Sequence, residues 1–362
     1  MLCSIMTRTE SWPKARGARF NPATRFDRLR REAVDDGWAP DEDEPPAPPT
    51  ILHVDATRSI ITRNNSPDIP FDRSVNPYRG CGHGCVYCFA RPSHAYLELS
   101  PGLDFETQLF VKPEAPRLLE AELRKPGYRA AVLAIGTNTD PYQPIERDHR
   151  IMRGCLDVLA AFNHPVSITT KGVLITRDID LLAPMAAKGL VLAAISVTTL
   201  DARLHGLLEP RASSPARRLD TIRRLSQAGI PTMVMAAPMI PRVNDHELEH
   251  ILEAAKAAGA TAAAYTLLRL PREVKDLFAD WLEAHFPDRK AHVLSLVADQ
   301  RGGMLNESRF GARFSGTGEH AALLSQRFRV ALTKLGLNGA RLSLDASRFR
   351  VPPRAGDQLS LF

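Results

Sequence analysis

The strongest constraint on how this chain can fold is an alternation along most of its length. Short, nearly continuous apolar runs recur: AAVLAIGT (130–137), VSITTK (166–171), VLAAISVTT (191–199), PTMVMAAPM (231–239) and AAAYTLLRL (262–270). A weaker run, FDRSVNPY (71–78), precedes them. Such composition fits parallel strands buried on both faces. The stretches between have helical spacing. Met152, Cys155, Leu156 and Leu159 share a face, as do Leu219, Ile222 and Leu225, and Leu248, Ile251, Leu252 and Ala255. Gly189, Gly229 and Gly259 follow these stretches, where a left-handed C-terminal cap is needed. Asp245 stands where an N-cap oxygen would satisfy free amides. Six βα units with right-handed crossovers predict an α/β fold, a partial, open (β/α)6 TIM-like barrel rather than a closed eight-stranded one. Chemistry in such a fold collects at the C-terminal ends of the strands.

The flanks lack this pattern. Residues 14–31, KARGARFNPATRFDRLRR, are arginine-rich with Phe20 and Phe26 interleaved, and suit either a phosphate-tracking arm or a solvated one. APDEDEPPAPPT (39–50) carries five prolines and reads as an extended linker. The expected organisation is an arm and linker over 1–50, a barrel over 51–300, a partly helical extension over 301–345 and a flexible tail over 346–362. Leu324, Phe328, Leu332 and Leu335 mark one helix in the extension. The net charge of +6 mildly favours an anionic partner. No apolar run approaches the ~18–20 residues of a membrane helix, and no leader-like apolar region opens the chain. A cytoplasmic location is expected.

Three of the five cysteines fall within CGHGCVYC (81–88), at the end of the first strand. Such clustering fits reduced ligands better than a disulfide framework. Zinc with His83 as fourth ligand is one alternative, cramped within a tight loop. A cubane iron–sulfur cluster suits three thiolates better, one iron being left without a protein ligand. Gly80, Gly82 and Gly84 would let the backbone wrap the inorganic core closely.

The spacing C-x3-C-x2-C, with Tyr87 before the last cysteine, resembles the radical S-adenosylmethionine (radical SAM) superfamily. Within it, YCFARPSHAY (87–96), GTNTDPYQPIE (136–146), TKGVLITRDIDLL (170–182), ISVTTLD (195–201), LEPRASSPARRLDTIRRLSQAGIP (208–231) and APMIPRVND (237–245) resemble the spore photoproduct lyase-like branch, best an uncharacterised bacterial group. The resemblance implies a [4Fe–4S] cluster on Cys81, Cys85 and Cys88, with SAM chelating the open iron. It implies cofactor contacts from the Tyr87 backbone, Thr139, Asp140, Lys171 and Ser196. Asp140 would take the ammonium of SAM, Lys171 its carboxylate, and Ser196 the ribose or carboxylate. Ordinary turn chemistry for Thr139 and a solvated strand end for Lys171 are the plainer readings. Arg211 and Asn244 lie near strand ends, Arg211 beside Glu209 as a structural partner. Tyr142 and Cys155 read as packing residues, and His94 and His149 as helix-end residues. In that lyase a hydrogen-donor cysteine follows the second strand; Thr137 matches it here, which argues against photoproduct repair by that route.

The last residues, Gln358, Leu359, Leu361 and Phe362 of QLSLF, resemble a bacterial sliding-clamp-binding peptide. The function expected is reductive SAM cleavage acting on DNA or another nucleic acid, with an electron donor such as flavodoxin or ferredoxin. The alternatives are an RNA- or protein-modifying radical SAM enzyme, or a non-catalytic iron–sulfur module tethered to the clamp.

Overall fold

The apolar runs become the strands of one sheet, and the amphipathic stretches become the helices that cover it. The computed structural model describes residues 13, 15–27, 48–337 and 343–353. Within these, ten strands form: β1 (Ile51–Val54), β2 (Ile61–Arg63), β3 (Arg73–Val75), β4 (Tyr78–Arg79), β5 (Gln108–Val111), β6 (Leu133–Ile135), β7 (Val166–Thr170), β8 (Val191–Ser196), β9 (Thr232–Met239) and β10 (Ala262–Leu267). The larger sheet runs β10-β9-β8-β7-β6-β3-β2. Six of its strands, β3 and β6 to β10, pair in parallel, giving the partial (β/α)6 barrel expected. β2 adds antiparallel to β3 and protects that edge. Its three residues, largely exposed, carry no alternation that a sequence reading could detect.

The first apolar run is two strands rather than one. Arg73–Val75 joins the large sheet, whereas Tyr78–Arg79 pairs with β5 in a small sheet of order β1-β5-β4. Pro77, which lacks an amide donor, lies at the break. The chain thereby turns out of the barrel immediately before Cys81.

The core lies between the large sheet and its helices. Met152, Cys155, Leu156 and Leu159 on the helix Ile151–Ala161 are fully buried, as are Leu248, Ile251, Leu252 and Ala255 on Leu248–Ala257. They meet Ile168, Val191, Ala193 and Val234 of the strands. Each such Leu or Ile contributes roughly 1.5–3 kcal/mol of burial free energy. Cys155 is thus a core residue, as read. The helix Gly318–Leu335 carries the predicted apolar stripe onto the open β10 side, where Tyr265 and Phe328 ring centroids stand 4.6 Å apart. A second core surrounds Phe278, Trp281, Val293 and Val297 on the helices Val274–His285 and Pro287–Asp299. It reaches Cys85, Val86 and Tyr87, so it supports the cysteine loop.

Two local expectations fare differently. Gly189, Gly229 and Gly259 take φ of 70°, 75° and 103°, the left-handed caps expected. Asp245 is not the N-cap of Leu248–Ala257. It lies in a preceding 3-10 turn, where its carboxylate accepts the Arg242 amide at 3.0 Å and meets His320 Nε2 at 2.9 Å.

The described part of the basic arm is docked. Arg19 forms a bidentate pair with Asp280 (2.6 and 2.7 Å), and Arg25 meets Glu273 at 3.2 Å. The amides of Gly17 and Ala18 donate to the buried Glu106 at 2.9 and 3.0 Å. These arginines are engaged by carboxylates, so this stretch is not the free phosphate-tracking or solvated arm the composition suggested. Most of the proline-rich linker lies outside the described residues.

Candidate functional site

The cysteine loop leaves β4 at the C-terminal end of the parallel strands and is held from several sides. Cys81 N donates to Phe105 O (3.0 Å), Gly82 N to Gln143 Oε1 (2.8 Å) and Val86 N to Leu208 O (3.1 Å). His83 O accepts the Arg211 amide at 3.1 Å, and Gly80 O accepts the Thr139 hydroxyl at 2.6 Å. The fully buried Arg91 donates to Cys85 O (2.9 Å) and pairs with Glu106 (2.5 Å). Gly80 and Gly84 sit at φ of 75° and 71°. A Cβ on Gly80 would come within 2.8 Å of Leu109, and one on Gly84 within 2.8 Å of Glu106. These two glycines therefore let the loop press against protein on its outer side. Gly82 meets nothing closer than 3.7 Å.

Cys81, Cys85 and Cys88 line one cavity of about 300 Å³ together with Tyr87, Thr139, Asp140, Lys171 and Ser196. The eight residues named from the sequence for cluster and cofactor thus share a single chamber. His83 also lines it, but its Nδ1 faces Asp140 at 3.4 Å. Burial pushes the Cys81 and Cys85 thiols up, with neighbouring negative charge adding to the effect. A cationic centre would be needed to hold them as thiolates. Three soft donors on one short loop line one chamber, a donor set of the kind an iron–sulfur cluster takes.

The polar residues of the chamber are tied together. Asp140 accepts from Thr170 Oγ1 (2.6 Å), Lys171 N (2.7 Å) and Tyr142 N (2.9 Å). Burial would raise its carboxyl, but His83 and these donors outweigh burial and hold it at about 2. Asp140 therefore stays a carboxylate while clamping β7 to the loop after β6. The Thr139 hydroxyl is spent on Gly80, with Gln143 Nε2 donating back to it at 3.1 Å. Lys171 Nζ lies 3.4 Å from Ser196 Oγ and 3.9 Å from Glu209, and 5.8 Å from the Tyr87 ring centre. Burial works against the Lys171 ammonium, but Glu209 raises it above the ordinary lysine range.

Glu209, read from the sequence only as a partner of Arg211, sits at the centre of the polar network. It is fully buried and accepts from Thr198 Oγ1 at 2.6 Å, from the Tyr87 hydroxyl and from Arg218. Burial would raise this carboxyl; Arg218 and Lys171 hold it at about 2. Its partner is therefore Arg218 and not Arg211, whose side chain instead reaches Thr50 at 3.4 Å. The only sequence signal was an acidic residue flanked by basic ones in LLEPRASSPARR. Asn244 is structural: it bridges Thr198 O (2.7 Å), Pro238 O (3.0 Å) and Ile240 N (2.6 Å). Tyr142 donates to Asp178 at 3.0 Å within the core. His94 is wholly buried, and burial depresses it to about 4, leaving a neutral ring. His149 is exposed at the end of a short helix. Thr137 lines the chamber, its hydroxyl bonded to Asn76 at 3.1 Å. Gln358, Leu359, Leu361 and Phe362 lie outside the described residues.

A parallel half-barrel with three cysteines on the loop beside its first strand defines a class. Residues 75–255, half of the chain, match the family described as the Radical SAM superfamily, and the chain belongs to it. An uncharacterized protein of Mycobacterium tuberculosis is 41% identical over 226 residues, 62% of this chain and 66% of the relative. The match thus spans somewhat under two thirds of that relative's length. An uncharacterized protein of Methanocaldococcus jannaschii is 26% identical over 253 residues, 69% of this chain and 89% of the relative. Among solved structures, spore photoproduct lyase complexed with dinucleoside spore photoproduct aligns with a TM-score of 0.54 at 15% identity, covering 78% of both chains. A mutant of the same lyase gives 0.56 at 14% identity, covering 79% of both. The fold is that of spore photoproduct lyase, the branch the sequence resembles.

Proposed function

We propose that this chain is a radical SAM enzyme that binds a [4Fe–4S] cluster on Cys81, Cys85 and Cys88 and S-adenosylmethionine beside it. The observation that carries the reading is the shared chamber: three cysteines and the charged pair Lys171 and Asp140 meet at the C-terminal ends of parallel strands. When bound, the cluster supplies one electron to the sulfonium of SAM, giving methionine and a 5′-deoxyadenosyl radical. The protein's work is positioning and exclusion. Lys171 presents an ammonium for the carboxylate of SAM, its charge secured by Glu209. Ser196 offers a hydroxyl at the end of β8, next to that ammonium. Asp140 and Thr139 hold the cysteine loop against the strands, and Asp140 keeps a negative charge facing the chamber for the amino group of SAM. The Tyr87 hydroxyl is committed to Glu209, which leaves its backbone to face the adenine.

The substrate class we favour is a nucleic acid. Its support is the resemblance to the lyase branch, one member of which is seen with a dinucleoside photoproduct. Thr137 offers no easily abstracted hydrogen, so the reaction does not end on a cysteine donor at that position. The QLSLF tail supports attachment to a sliding clamp, and a flavodoxin or ferredoxin would supply the electron. No helix among the described residues is long and apolar enough to cross a membrane, in keeping with a cytoplasmic enzyme. Anaerobic reconstitution, then dithionite and SAM, tests the central claim. Formation of 5′-deoxyadenosine is expected; intact SAM beside a bound cluster would leave a structural iron–sulfur module. Clamp affinity that is unchanged on deleting residues 358–362 would remove the tail hypothesis.

A further inference from the structure

A second cavity, of about 720 Å³, meets the chamber at the cysteine loop. Its wall shares one residue with the chamber, His83, which lies between the first two cysteines. The rest comes from the loops and helices that follow β6, β7 and β8. Its charge is one-sided. Arg147, Arg177, Arg211, Arg217 and Arg224 line it against a single acid, Asp220. Asp220 is taken by Arg223 at 2.6 Å, and Arg177 by Glu146 and Asp178 at 2.7 and 2.8 Å. Arg147, Arg211, Arg217 and Arg224 have no carboxylate partner among the described residues. Arg211 also donates its backbone amide to His83 O, which couples this wall directly to the cysteine loop.

Unneutralised guanidinium groups gathered on one concave face attract anionic partners and speed their encounter. The position favours one class of partner. The groove carries none of the three cysteines and no part of β8 to β10, so a reactant held there would not face the chamber. It does touch, at His83, the loop that would carry the cluster. A partner that must approach the cluster without entering the chamber is an electron carrier.

We propose that this arginine groove is the docking surface for an acidic one-electron carrier protein, of the flavin or iron–sulfur type, and that electrons enter the cluster past His83. The inference rests on the radical SAM reading above. In the step, the reduced carrier loses one electron and the oxidised cluster gains it; no bond is made or broken and no proton need move.

The test uses the full chain, reconstituted anaerobically, with an acidic flavodoxin as probe. Binding should weaken steeply with salt, because the contacts are exposed. The double variant Arg217→Glu/Arg224→Glu, both on the exposed side of one helix, should bind the flavodoxin about tenfold more weakly. The cluster of that variant should be reduced by flavodoxin about tenfold more slowly, followed by its visible absorbance. Iron content and reduction by dithionite should match the parent, which shows an intact site. If the double variant retains less iron, Arg147→Glu, on a separate element, takes its place in the same assay. Unchanged flavodoxin affinity and reduction rate overturn the proposal. So does a loss of oligonucleotide binding with flavodoxin binding intact, which would make the groove a nucleic-acid surface. Should dithionite fail to cleave SAM in the parent, the enzymatic reading falls, while flavodoxin affinity still judges the groove.

Discussion

The two walls of the chamber are built differently. On the wall formed by the cysteine loop, β6 and β7, polar side chains have fixed partners: Thr139 with Gly80, Asp140 with Thr170 and Lys171 N. On the wall beyond β10, Arg269 has no such partner among the described residues. Its guanidinium lies 4.8 Å from the ring centre of Phe89 and 5.7 Å from that of Phe314. Burial and the nearby Arg313 depress it below the ordinary arginine value. Phe89 itself is about half exposed. Directional hydrogen bonds hold a geometry; ring faces tolerate sliding. On the reading proposed above, the first wall suits a ligand of constant shape and the second one that arrives and leaves.

That contrast can be broken most sharply at the thiolates. Replacing Cys81, Cys85 or Cys88 by Ala should abolish iron retention and 5′-deoxyadenosine formation, read by iron analysis and chromatography. Next comes the support behind the wall. Arg91→Ala strips the buried Glu106 of its charge partner and should cost about 3–5 kcal/mol in a denaturant melt. A change below about 1 kcal/mol would show the loop to be less dependent on this pair than its geometry implies.

Acid should sharpen the same comparison. Asp140 and Glu209 both have folded values near 2, below the usual unfolded value of about 4. A depressed carboxyl contributes stability above its unfolded value, and that stability is lost as pH falls through the folded one. The urea midpoint of the apoprotein should therefore drop between about pH 4 and pH 2. Glu209→Gln, which removes one of the two carboxylates, should flatten that drop. The smallest effect is expected on the opposite wall. Arg269→Ala should leave iron content and substrate-free SAM cleavage within about twofold, since the residue touches no hydrogen-bonded part of the site. A large loss would move Arg269 into the cofactor-binding set.

The barrel was legible because parallel strands buried on both faces leave continuous apolar runs, as at 191–199. The small sheet was not, because Ile51–Val54 is short and largely exposed, and β4 has two residues. The cysteines were legible from spacing within eight residues. The role of Glu209 was not, because its meaning lies in contacts with Tyr87 and Lys171, far away in the chain. The arginines near the N-terminus misled for the same reason. Asp280 stands 261 residues from Arg19, and composition cannot show that a charge is already answered.

The docking of Gly17 and Ala18 on Glu106 carries a consequence for the whole molecule. That carboxylate also receives Arg91, whose other face supports the Cys85 carbonyl. If the proposed cluster on Cys85 and the docking of residues 15–27 are linked through Glu106 and Arg91, each favours the other by the same factor. Iron loss should bare the segment around residues 15–27 to proteases, and clipping that segment should in turn hasten iron loss.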